Sequence, residues 1–190
     1  MKSKLIMLTL AVSCAFAGSA MALTKDEYKT QKDRVSADYK TGRDKCAALK
    51  DNAKDICTAE VKGAEKVARA ELEAQYKASP RNDMKIREAK AAAAYDLAKE
   101  KCDDLEGNAK DVCVKEAKAA HTAAKADAKV AKATTDAGKG NTKDVAEAKK
   151  DAAEDKSEAK YKVAKERCDA MSGNAKDACE KDAKAKFGMK

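Results

Sequence analysis

The chain has no Trp, two Phe and one Pro among 190 residues, and one His. Each scarcity excludes something. Single-stranded nucleic acid binds on aromatic platforms beside basic groups, and aromatics here are 4% of the chain. A lone His121 offers neither a His-rich metal site nor a Ser-His or Cys-His relay. No phosphate loop, nucleophile elbow or metal motif is present, so the chain does not read as an enzyme. No cofactor is implied. Large apolar residues are also scarce beyond residue 22, and the mean hydropathy is −0.72. A thick conventional core is therefore unavailable.

What is abundant is Ala, Lys, Glu and Asp. Ala, Lys and Glu are strong helix formers. Both signs of charge are dense and interspersed, the pattern of solvated helix faces more than of a nucleic-acid footprint. No specific nucleic-acid partner is expected. The partners open to such a surface are an envelope protein or an anionic envelope surface. The sequence leaves the oligomeric state open.

The first residues have a different character. Lys2 and Lys4 precede an apolar stretch, Leu5 to Ala17, too short to span a membrane as a helix. Ala20-Met21-Ala22 is a small-x-small cleavage site. Residues 1–22 therefore read as a signal peptide cleaved after Ala22. The mature chain, starting at Leu23, is expected to be periplasmic, with no transmembrane span. Cleavage removes two lysines and no acid, taking the formal charge from +8 to +6. The weaker alternative is lipoprotein processing before Cys14, where Ala11 stands at a position usually held by Leu.

Three segments align without gaps: YKTGRDKCAALKDNAKDIC (39–57), YDLAKEKCDDLEGNAKDVC (95–113) and YKVAKERCDAMSGNAKDAC (161–179). The shared frame is Tyr, Cys seven later, Leu or Met three after that, then Asn-Ala-Lys-Asp and a second Cys. Gly107 and Gly173 stand where a first helix would end, and Asp51 holds that place in the first copy. Asn52, Asn108 and Asn174 are expected to cap the second helix of each unit. Thr24 with Glu27 forms a capping box, Ser79-Pro80 reads as N-cap and N1, and Thr142 can cap a fifth helix. Six helices follow, at roughly 24–50, 53–78, 80–106, 109–136, 143–172 and 175–187. The units are hairpin repeat 1 (23–79), hairpin repeat 2 (80–136), a linker (137–142) and hairpin repeat 3 (143–190).

In an antiparallel hairpin, residues at equal height have a constant index sum. For the second unit this pairs Cys102 with Cys113, Ala98 with Ala117, Tyr95 with Ala120, Ala91 with Ala124 and Met84 with Ala131. The first unit pairs Gly42 with Val61, Tyr39 with Ala64 and Val35 with Ala68; the third pairs Ala164 with Ala183. Steps of three and four keep these positions on one helix face. Of the seven cysteines, six lie in the mature chain, and that even number in an exported chain favours disulfides over metal ligands. Fifteen connectivities exist, and equal height favours Cys46–Cys57, Cys102–Cys113 and Cys168–Cys179. The expected fold is all-α: three disulfide-stapled antiparallel helical hairpins, elongated, with Ala-rich seams. Catalytic, cofactor and metal residues are expected to be none. Tyr39, Tyr95 and Tyr161 are expected across the seams, His121 on the solvated surface, and Ile86, Leu97 and Val114 off the main seam.

The Tyr-x6-Cys-x10-Cys frame with Asn-Ala-Lys-Asp inside it resembles a group of exported Ala/Lys-rich proteins of Gram-negative bacteria, often labelled uncharacterised or TolA-like cell-envelope proteins. Stretches such as AEAKKDAAEDKSEAKYKVAKE look like the helical stalk of TolA, mostly by composition. The resemblance implies a periplasmic helical structural or interaction protein. The alternative is a periplasmic stress or chaperone-like binder of unfolded clients, for which Ile86, Leu97 and Val114 are the candidate apolar face.

Overall fold

The computed structural model describes residues 23–138 and 142–189. The expected signal peptide and both readings of its processing lie outside the described residues, as do residues 139–141 of the expected linker. Six helices occupy the described part: α1 (Lys25–Ala47), α2 (Asp51–Tyr76), α3 (Pro80–Cys102), α4 (Gly107–Ala137), α5 (Thr142–Cys168) and α6 (Gly173–Phe187). Among the described residues, each helix packs only against its neighbours in sequence. The result is one layer of antiparallel helices. It is three stapled hairpins laid side by side, and α2–α5 have a neighbour on each flank.

The local reasons are mostly those the sequence supplies. The Thr24 backbone N–H and hydroxyl donate to Glu27 Oε2 at 2.8 and 2.7 Å, and Glu27 N–H returns to Thr24 Oγ1 at 3.3 Å. This closes the capping box that starts α1. Ser79 Oγ accepts from Asn82 N–H at 3.1 Å with Pro80 in the first turn of α3. Buried Asn82 also donates through Nδ2 to the Lys77 carbonyl at 2.6 Å, tightening the α2–α3 turn.

The seam is thin, as the composition requires. Its buried members are Ala59, Ala91, Ala117, Ala126, Ala128, Ala152 and Ala183, with Leu72 and Val163. The largest fully buried side chains are Cys46, Cys102 and Cys168. Half-cystines thus take the place large aliphatics hold in an ordinary core. Close approach is visible at Gly42, where an added Cβ would stand 2.7 Å from Val61 Cγ1, and at Gly63, where it would stand 2.8 Å from Ala93 Cβ. The first contact is the Gly42–Val61 pair expected within hairpin 1. The second joins α2 to α3, a packing between repeats that pairing within hairpins does not reach.

Two sequence expectations shift. The first helix of each hairpin ends three or four residues earlier than expected, at Ala47, Cys102 and Cys168. Asp51, Gly107 and Gly173 do take left-handed backbone, with φ of 49°, 55° and 55°. They open the second helix instead of closing the first. Thr142 is the first residue of α5, not a residue before it.

Candidate functional site

The chemistry-bearing residues gather along one edge of the layer, where all three hairpin turns lie. The disulfides are Cys46–Cys57, Cys102–Cys113 and Cys168–Cys179, with Cα–Cα separations of 5.5, 5.7 and 5.7 Å. Those distances suit an unforced disulfide between facing helices. No bond crosses between repeats. One sulfur of each pair is buried, so the staples act as packing as well as crosslinks. Each closes a short loop, worth about 3 kcal/mol in the chain-entropy model.

The Asn-Ala-Lys-Asp motif has a different role from the one expected. Asn52, Asn108 and Asn174 do not cap their own helices: the residues before α2, α4 and α6 are Lys50, Glu106 and Ser172, with no side-chain cap. Asn52 reaches across to the next hairpin. Its Nδ2 donates to the Glu100 carbonyl at 2.8 Å and to Asp104 Oδ1 at 2.6 Å. Asn108 does the same one repeat later, donating to the Glu166 carbonyl at 2.9 Å. These carbonyls lie in the last turns of α3 and α5, where Glu100 already accepts from Asp103 N–H and Glu166 from Asp169 N–H, both at 3.1 Å, and the Asn adds a second donor to each. The Asn therefore serves the C-terminus of a neighbouring helix. The signal for it lies 48 and 58 residues away in sequence, so no local rule finds it.

The motif's lysine holds its own turn. Lys110 pairs with Asp103 at 2.9 Å and Lys176 with Asp169 at 2.6 Å. Hydrogen bonding to Asp103 raises the Lys110 ammonium above its usual range, and Asp169 does the same for Lys176. Asp169 is lowered in return by its bond to Lys176. The first copy has Ala47 at the acid's place, so Lys54 has no such partner.

Further ion pairs tie the repeats flank to flank. Lys66–Asp96 and Lys90–Glu71 join α2 to α3; Lys115–Glu166, Arg167–Glu116 and Lys156–Asp127 join α4 to α5. These are exposed or half-exposed pairs, individually weak, and they set register more than stability.

His121 departs from the surface reading. Its ring stacks on Tyr95 with centroids 5.0 Å apart, and partial burial lowers its pKa, with Lys125 adding to the effect. Tyr39 and Tyr161 are half-buried, and Tyr39 faces the Arg43 guanidinium at 5.9 Å. Ile86, Leu97 and Val114 are each half-buried, so they do not present an open apolar face. With Gly63 against Ala93 as register, Leu97 stands opposite buried Ala59 and belongs to the α2–α3 seam. Among the described residues, the exposed large apolar side chains are Leu49, Leu105 and Met171, one at each hairpin turn. Among the described residues there is no cluster of three or more candidate metal ligands, and no helix is long and apolar enough to cross a membrane.

No family model, curated protein or solved structure matches the chain. The geometry defines it as a one-layer array of disulfide-stapled α-hairpins.

Proposed function

We propose that this chain is a non-enzymatic structural or interaction protein of the bacterial cell envelope, working in the periplasm. The observation that carries the reading is the layer itself. Three oxidised staples line one edge, and the helices expose dense, mixed charge, in a form suited to engaging partners through surfaces. The disulfides fit an oxidising compartment. The TolA-like resemblance points to the same setting. Partners of this kind are an envelope protein or an anionic envelope surface, engaged electrostatically and weakened by salt.

The test is photo-crosslinking in the native periplasm from exposed positions on α2 and α5, such as Lys62 and Lys149, at low and high salt. Salt-sensitive capture of a discrete envelope component is the expected result. Suppression of aggregation of an unfolded client at stoichiometric amounts, with no envelope component captured, would replace this reading by the chaperone one.

A further inference from the structure

The contact that joins α4 to α5 is built from a set of residues whose Asn bond recurs between α2 and α3, and counterparts of both halves of that set stand unpaired, among the described residues, at the two ends of the layer. On the donating side, Asn108 on α4 is followed by Lys115 and Glu116. On the accepting side, α5 ends Glu166-Arg167-Cys168. Asn108 donates to the Glu166 carbonyl, Lys115 pairs with the Glu166 carboxylate and Glu116 with Arg167. The α2–α3 contact repeats the Asn bond, from Asn52 to the Glu100 carbonyl, and adds Gly63 packed on Ala93.

At the far end, α6 carries the donating set at the same spacing: Asn174, then Lys181 and Asp182, then Ala185 where α2 has Gly63. At the near end, α1 carries the accepting set: Asp44-Lys45-Cys46, with Ala37 where α3 has Ala93. Every charge keeps its sign. Asn52 and Asn108 are half-buried by their neighbours, whereas Asn174 is exposed. Asp44, Lys45, Lys181, Asp182, Ala37 and Ala185 are exposed too, and the four charged ones take part in no ion pair among the described residues. The two ends do not touch each other.

We infer that the α6 flank of one copy docks on the α1 flank of a second copy, continuing the layer head to tail. Asn174 donates to the Asp44 carbonyl of the next molecule, Lys181 meets the Asp44 carboxylate, Asp182 meets Lys45, and Ala185 packs on Ala37. The partner is therefore this chain itself. The contact is heterologous and does not close on itself, so it generates open rows. It is weaker than the internal contacts. Thr41 stands where α3 has Leu97 and α5 has buried Val163, and α6 spans 15 residues against 31 in α4. Association is then reversible and concentration-dependent, an addition to the envelope role that stands or falls apart from it.

Sedimentation velocity of the purified oxidised chain over a concentration series is the test. The expected result is a mass-action series of monomer, dimer and longer rows that shrinks in high salt. Asn174→Ala should weaken association about three- to tenfold, the value of one hydrogen bond. Asp44→Lys and Lys181→Asp should each weaken it several-fold, and the double variant should recover it. Because the two positions are not in contact within a chain, recovery reports a contact between chains. Ala37→Trp and Ala185→Trp each block one flank: either alone stays monomeric, and their mixture gives dimers and nothing larger. Helical circular dichroism of each variant verifies folding. A chain that stays monomeric throughout overturns the inference. So does a wild-type dimer that never extends, or a mixture of the two Trp variants that stays monomeric.

Discussion

At the scale of single residues, three positions carry measurable consequences. Asp51 holds left-handed backbone that Gly107 and Gly173 hold in the other copies. A side chain there is strained, although Asp tolerates it better than most. Asp51→Gly should raise stability by about 0.5–1 kcal/mol, read as a higher urea midpoint with unchanged slope. Gly63 lies at the opposite extreme. Ala is the better helix former by roughly 1 kcal/mol, yet a Cβ here meets both Cβ and Cα of Ala93, and helix backbone cannot step aside cheaply. Gly63→Ala should therefore lower stability, where an exposed helical glycine would gain from the same change. His121 gives a pH dependence. Its folded pKa lies below the unfolded value of about 6.5, so the neutral form favours folding. Its contribution is present in full above pH about 6.5 and is lost as pH falls through that value toward the lowered folded pKa. Urea midpoints at pH 7.5 and 5 should differ in the wild type, and His121→Phe should remove most of the difference. The shifted carboxylates Glu27, Glu158 and Asp169 titrate lower still, outside that window.

At the scale of elements, the staples and the seams divide the work. Each hairpin is closed at its turn by a disulfide and along its length by alanines, so the two supports can be removed separately. Reduction should lower the melting temperature while leaving helical signal at low temperature, because Ala-rich helices lose little propensity with the bond. Cys102→Ala should free Cys113 and loosen α3 against α4 more than α1 against α2. Far-UV circular dichroism with and without reductant checks the first. Peptide-resolved hydrogen exchange of the variant checks the second. How much was legible follows the same division. Three copies of the Cys frame and the equal-height pairs showed the hairpins, their partners and the staples, since those contacts are local in sequence. The role of Asn52 and Asn108 was not legible from their neighbourhood, because an N-cap and a donor to a distant helix look alike in one dimension. The recurring acid-base-Cys triplet, Asp44-Lys45-Cys46, Glu100-Lys101-Cys102 and Glu166-Arg167-Cys168, is the trace that could have suggested a partner. His121 read as surface because its stacking partner, Tyr95, lies 26 residues back on another helix.

At the scale of the whole molecule, a single layer has a thermodynamic signature that a globular core lacks. A helix inside the layer is held on two flanks, while α1 and α6 are each held on one. Stability in such an array is close to a sum of helix terms and nearest-neighbour terms, so the ends open at lower cost than the middle. α6 is the extreme case. It is 15 residues long, it touches α5 alone, and its tether is the Cys168–Cys179 bond near its middle. Native-state hydrogen exchange at low protein concentration should show protection rising from α6 and α1 toward α3 and α4. Within α6 it should fall away from Cys179 toward Phe187, whose carbonyl accepts from the Ser157 hydroxyl of α5 at 3.1 Å. Reduction should abolish protection in α6 first, because its staple supports the fewest contacts. At high protein concentration the same experiment reads the head-to-tail contact: docking gives α1 and α6 a second flank each, and their protection should rise while that of α3 stays constant. Equal protection across all six helices at low concentration would mean that the layer unfolds as one unit and that nearest-neighbour energetics do not describe it.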